Sequence, residues 1–228
     1  MTLQQYQQIL HSLYQGDVEY PTSADDEWTH RTNLLAAGIA AWGNEKGILW
    51  SELWKMNSDG DGDTTVVAAT LDYDCGSDFR FPGGFVKTVD SGGLETFWEV
   101  ISPQKAELYV GQGVKKCYFT GNKATGFDLH FLSQPTAGHT IEYPYYKEPA
   151  TVDDAAEVIE MSDPYFAIYF ALSKLHEIDG EGDRSTKALQ EAQARLLNMR
   201  TRNIMPAWYQ DNKTADRDWD LGTGGFGV

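Results

Sequence analysis

The period of the hydrophobic pattern changes twice along this chain, and that change constrains the fold more than any single motif. In "TLQQYQQILHSLYQ", residues 2–15, Leu3, Tyr6, Ile9, Leu10 and Leu13 recur at helical spacing, with Gly16 as a natural stop. "SADDEWTHRTNLLAAGIAAWGNEKG" opens with capping and acidic residues suited to a helix N-terminus. Trp28, Leu35, Ile39 and Trp42 form its apolar face, Gly47 is read as its end, and "ILWSELWK" as a short apolar continuation. From about residue 58 to 148 the texture becomes β-like. "TTVVAATL", "TFWEVIS", "AELYVG", "KCYFTG", "FDLHFL" and "HTIEYPYYK" read as strands. Turn signals separate them at Pro82-Gly83-Gly84, Ser91-Gly92-Gly93, Gly121-Asn122 and Ala137-Gly138. Short strands at this spacing imply an antiparallel sandwich or small barrel.

Helix returns as a short element in "TVDDAAEVIE" and then in "SDPYFAIYFALSKLHEIDGEG". The latter has Ser162 or Asp163 as cap, Pro164 in the first turn and Gly180 beyond its end. Apolar nearly all round, it should be a central buried helix. The connection "DGEGDRST" leads to a last helix, "RSTKALQEAQARLLNMRTRN", with Leu189, Ala192, Leu196 and Met199 on one stripe. Neither helical half supplies enough apolar faces alone, so residues 1–55 and 149–203 are expected to share a core. The fold class read from the sequence is therefore α+β. A helical bundle from the N- and C-terminal helices carries an inserted antiparallel β sandwich or barrel-like module over 56–148. An extended C-terminal arm occupies 204–228. The arm lacks periodicity yet holds Trp208, Tyr209, Trp219 and Phe226, aromatics that suit a partner or a neighbouring subunit.

A formal charge of −16, spread along the chain, argues against free nucleic acid as a direct ligand. No stretch approaches the ~20 apolar residues of a membrane helix, and "MTLQQYQQIL" lacks the basic start and apolar run of a signal peptide. Cys75 and Cys117 match no metal spacing and are read as buried strand thiols, with a disulfide the less favoured alternative.

The stretch "MNSDGDGDTTVVAATLDYD" places Asp59, Asp61 and Asp63 at alternate positions beside glycines. Counted from Asp59, an EF-hand would need glycine at Thr64 and a bidentate acid at Thr70, so this is no EF-hand. Turn chemistry accounts for the aspartates, which are only weak candidates for another metal site. Nucleophile-elbow, zinc-protease and phosphate-loop motifs are missing, and the five histidines are scattered singly. Paired acids such as Glu95 and Glu99, or Asp153 and Asp154, are of a kind any acidic protein would show. No catalysis, cofactor or metal is expected.

Taken together, "DDEWTHRTNLLAAGIAAWGNEKGILWSELW" and "GHTIEYPYYKEPATVDDAAEVIEMSDPYFAIYFALSKLHEIDGE" resemble the head-to-tail adaptor (connector) proteins of tailed bacteriophages. The likeness covers roughly residues 3–203 in layout and lies mostly in core patterning. It implies a structural virion protein at the head-tail junction, made in the host cytoplasm. Such a protein forms a homo-oligomeric ring, in that family usually dodecameric, between the portal protein and tail or nozzle proteins. DNA only passes through its channel, and no membrane is involved. An acidic lumen would let the duplex slide. The composition of the arm makes Trp208, Tyr209, Trp219 and Phe226 the candidate contacts to portal or neighbouring subunit, with Ile204 and Met205 as the hinge. Two other classes compete: a receptor- or carbohydrate-binding tail module stacking sugar rings on Trp98, Tyr109 or Tyr118, and a hydrolase built from scattered acids.

Overall fold

The first backbone N–H groups of a helix have no partner within it, and at the start of this chain a distant segment supplies them. Leu3 and Gln4 donate to the carbonyls of Glu157 and Ala155, both at 3.0 Å. Thr2 and Gln5 complete a capping box. A computed structural model describes residues 1–16, 19–59, 62–150, 152 and 154–203. The fold is α+β. Its helices are α1 (Leu3–Gln15), α2 (Asp26–Gly43), α3 (Pro103–Ala106), α4 (Tyr165–Ile178) and α5 (Gly182–Arg202). Its strands are β1 (Trp54–Met56), β2 (Asp72–Asp74), β3 (Phe79–Pro82), β4 (Val86–Val89) and β5 (Glu95–Val100), then β6 (Lys116–Asn122), β7 (Gly126–Phe131), β8 (Thr140–Glu142) and β9 (Pro144–Lys147). Two compact units result, one of Met1–Glu52 with Pro149–Ile204 and one containing Leu53–Glu148.

In the helical unit α4 packs against α1, α2 and α5. Phe166, Ala167, Ile168, Ala171, Leu172 and Leu175 are buried. Burial is not complete all round, because Tyr165 and Ile178 at the helix ends are exposed. The expected face of α2 is present: Trp28, Leu35, Ile39 and Trp42 are all buried. α2 stops at Gly43 and not Gly47, because Asn44 turns its side chain back onto the Ala40 carbonyl at 2.8 Å. The apolar continuation "ILWSELWK" lies outside α2. Trp50 folds back to donate to the Trp42 carbonyl at 2.7 Å, and a single 3-10 turn at Ser51–Leu53 leads into β1. The described residues of "TVDDAAEVIE" are not helical. Its carbonyls serve the start of α1, and Val158 makes an isolated antiparallel bridge to Thr2. On α5 the buried residues are Ala188, Ala192 and Met199, with Leu196 half-buried. Leu189 is exposed because it lies one residue, about 100°, off that stripe.

The β unit holds two sheets. A three-stranded antiparallel sheet has the order β1-β9-β3, and a curled six-stranded sheet the order β2-β7-β6-β5-β4-β8. The larger sheet is mixed and not purely antiparallel: β5 and β6 run parallel, with Val100 beside Cys117. Parallel neighbours need a crossover, and it is here that the expected strand "AELYVG" lies. Pro103 opens α3 and a 3-10 turn follows at Glu107–Tyr109. "TTVVAATL" is likewise no strand. Ala69 sits at φ 62°, and the Tyr73 hydroxyl donates to the Thr70 carbonyl at 2.9 Å, which closes a turn.

The residues just before that turn serve both edges of the large sheet. Asp63 donates its N–H to the Asp74 carbonyl in β2 at 2.9 Å. Val66 donates to His139, and the Thr64 carbonyl accepts from Ile141 in β8, both at 2.8 Å. "HTIEYPYYK" divides between the two sheets at Tyr143. Buried Asn57 joins them there, donating to the Ile141 carbonyl and accepting the Tyr143 N–H, each at 2.9 Å.

Phe79 stacks on Phe119 and Tyr145, and Trp98 packs edge-on to Phe131 in this unit's core. Cys75 and Cys117 are buried free thiols there. Burial pushes the Cys75 thiol up to about 12 and that of Cys117 above its ordinary range.

The close approach of α2 to α4 gives a direct test of this packing. A Cβ built on Gly38 of α2 would lie 3.1 Å from the Ala167 Cα of α4. Overpacking a core typically costs about 1–3 kcal/mol. Gly38→Leu is expected to lower the thermal midpoint of the helical unit clearly more than Gly38→Ala, as read by circular dichroism at a helix wavelength. Equal midpoints for the wild type and Gly38→Leu would contradict the close crossing.

Candidate functional site

The partner contacts read from the sequence, Ile204, Met205, Trp208, Tyr209, Trp219 and Phe226, lie outside the described residues. The structure does define where that segment starts. Asn203 follows α5, and its own N–H returns to the Met199 carbonyl at 2.8 Å. Its side-chain amide donates to the Leu49 carbonyl at 2.8 Å, and its side-chain oxygen accepts the Ser51 N–H at 3.0 Å. One turn earlier, Arg200 pairs with Glu45 at 3.5 Å. The end of α5 is thus clasped to the 45–51 segment. Arg200 and Arg202 in the last turn also suit the negative end of the helix dipole.

The aspartate stretch has a structural task at its described end. Asp61 and the side chain of Asp59 lie outside the described residues. The Asp63 carboxylate accepts the Asp74 N–H at 3.0 Å and so joins the backbone pairing at the β2 edge. The charge of Asp63, then burial and Asp128, push the Asp74 carboxyl above its usual range. Among the described residues no group of three or more His, Cys, Asp or Glu side chains is placed to hold a metal ion.

The aromatics considered for sugar stacking are already engaged. Trp98 is buried, and its indole N–H donates to the Thr88 hydroxyl at 3.2 Å. Lys116 Nζ lies 4.5 Å from the centre of the Tyr109 ring, and Tyr118 stacks on His130 at 4.8 Å. The acid pairs are dispersed in the same way. Glu95 pairs with Lys87 at 2.6 Å and Glu99 with Lys116. Asp154 accepts the Ala156 N–H at 2.9 Å, whereas Asp153 lies outside the described residues.

Three of the histidines that look isolated in the sequence have polar partners. His11 Nδ1 lies 2.7 Å from the guanidinium of fully buried Arg31, which also pairs with Glu27 and faces the Tyr14 ring at 5.5 Å. His176 Nδ1 is 2.8 Å from the Glu181 carboxylate. His130 lies between Asp72 at 2.6 Å and Thr120 at 2.5 Å. Sequence reading missed this last group because its members meet only through strand register: Asp72 and Tyr118 both stand opposite His130. Alternate polar positions in "LDYD", "CYFTG" and "FDLHF" were the available signal.

No family model matches the chain, and no curated protein matches it. Among the described residues no helix is long and apolar enough to cross a membrane.

The clasp predicts its own energetics. A hydrogen bond contributes about 1 kcal/mol net, so Asn203→Ala is expected to lose about 1–2 kcal/mol in urea unfolding followed by a helix signal. The change should also speed proteolysis near the end of α5. An unchanged urea midpoint and cleavage rate would show that the Asn203 bonds hold nothing in place.

Proposed function

We propose that this chain is a structural virion protein, a head-to-tail adaptor whose ring joins portal to tail and lines the DNA channel. In this reading the helical unit is a bundle forming the ring wall. Residues 56–148 are an inserted sandwich or barrel-like module, and 204–228 an extended arm reaching the portal through Trp208, Tyr209, Trp219 and Phe226. Its partners are the portal protein, tail or nozzle proteins and further copies of itself. DNA passes through without being bound, and this role calls for neither catalysis nor a cofactor. The protein is made in the host cytoplasm and ends at the head-tail junction.

The observation that carries the reading is the Asn203 clasp. It gives a segment with four large aromatics a fixed departure point on the helical unit, as a docking arm requires. The sequence likeness to connectors and the net charge of −16, which permits an acidic lumen, support it further. The alternative, a receptor- or carbohydrate-binding tail module, is weakened because Trp98 is buried and the Tyr109 and Tyr118 rings are covered by Lys116 and His130.

Truncation after Asn203 separates the two. The shortened chain is expected to keep its circular dichroism spectrum and melting temperature, yet fail to co-sediment with portal rings from the same source. Undiminished portal binding by the truncated chain would overturn the assignment of the arm.

A further inference from the structure

Three strands of the large sheet converge on one hydroxyl. Asp72 in β2, Thr120 in β6 and His130 in β7 alternate with Tyr73, Phe119, Leu129 and Phe131, which belong to or pack on the core, so all three lie on the opposite face. His130 Nδ1 is 2.6 Å from Asp72 Oδ1, and His130 Nε2 is 2.5 Å from Thr120 Oγ1. An ionised carboxylate can only accept, so Nδ1 carries the proton and donates to Asp72. In the neutral imidazole Nε2 then holds a lone pair and accepts from the Thr120 hydroxyl. The Tyr118 ring stacks on the imidazole at 4.8 Å and 20°, and the His130 side chain is only 19% exposed. Ring orientation and tautomer are therefore both held. A carboxylate that orients an imidazole whose other nitrogen faces a hydroxyl is the arrangement by which a general base activates a nucleophile.

We propose that Thr120 is a nucleophilic hydroxyl that is acylated by small activated esters, with His130 as general base and Asp72 as the positioning residue. The inference stands apart from the adaptor reading and does not depend on it. In the step, the bond from Thr120 Oγ to the acyl carbon forms and the ester bond to the leaving oxygen breaks. The Thr120 proton passes to His130 Nε2 and from there to the departing alkoxide or phenoxide. Asp128 is the strand partner of Thr120, and Asp74 is the partner of Asp128. These neighbouring carboxylates disfavour anionic acyl donors such as acyl phosphates and leave neutral esters as the substrate class.

The test uses the full-length chain and p-nitrophenyl acetate, with intact-mass and peptide mass spectrometry as readout. One acetyl group is expected on Thr120. General-base assistance contributes about 10²–10⁴-fold. His130→Gln should therefore slow acetylation of Thr120 at least tenfold, and Asp72→Asn should slow it and alter the pH profile. Thr120→Val should abolish the adduct, while Thr120→Ser, which keeps the hydroxyl, restores it at that position. Acetyl groups spread over lysines with none on Thr120, or a Thr120 rate unchanged in His130→Gln, would overturn the proposal.

Discussion

Burial of α4 is the constraint from which the helical unit follows. Its residues Ala167, Ile168 and Ala171 are fully buried, and three other helices are needed to cover it. Two of them, α1 and α2, come from the far side of the β unit in sequence. The chain must therefore leave at residue 52 and return at 149 before the core can close. Polymer physics makes this affordable, because each doubling of a flexible loop adds only about 0.6 kcal/mol of closure cost. The small residues Gly38 and Ala167 allow the close crossing of α2 and α4. The 155–159 segment, lying just before α4, supplies carbonyls to the start of α1 and ties the returning chain to its beginning.

The β unit solves a different problem. A curled sheet has two edges, and unpaired edges invite association with other chains. Residues 63–66 hydrogen-bond to β2 on one side and β8 on the other, so one short segment protects both. Where the chain passes from the large sheet to the small one, buried Asn57 satisfies the backbone around Tyr143. A buried polar side chain is tolerable there because both ends of its amide are paired. The outer face of the large sheet carries polar pairs beside the exposed Phe97: Lys87 with Glu95 and Glu142, Lys116 with Glu99, and the Asp72, His130 and Thr120 chain.

Helices α1, α2 and α5 were legible because each writes a 3.6-residue period over ten or more positions. Helix α4 was legible because a long apolar run lies between a capping residue and a glycine, whereas the four-residue α3 is too short to write a period. Trp28, Leu35, Ile39 and Trp42 could be assigned to one face without knowing what they meet. The misread segments share a physical cause. "AELYVG" and "TTVVAATL" contain strand-forming residues, but a parallel crossover and a Tyr73-braced turn decide their conformation. "TVDDAAEVIE" contains helix formers, but the orphan N–H groups of α1 compete for its carbonyls. In each case tertiary demand outweighs local preference. The polar chain through His130 was beyond reach for the same reason: period tells which face a side chain takes, and only register tells which strand lies opposite.

For function, the described structure contributes a scaffold and a departure point, and the adaptor reading is our inference from these together with the pattern of the sequence. Its central claim concerns location in a particle. Immuno-electron microscopy with an antibody to this chain, on full and DNA-emptied particles from its source, tests that claim most directly. The account predicts label at the head-tail junction in both. Label confined to the tail tip or fibres, or absent from every particle, would contradict it.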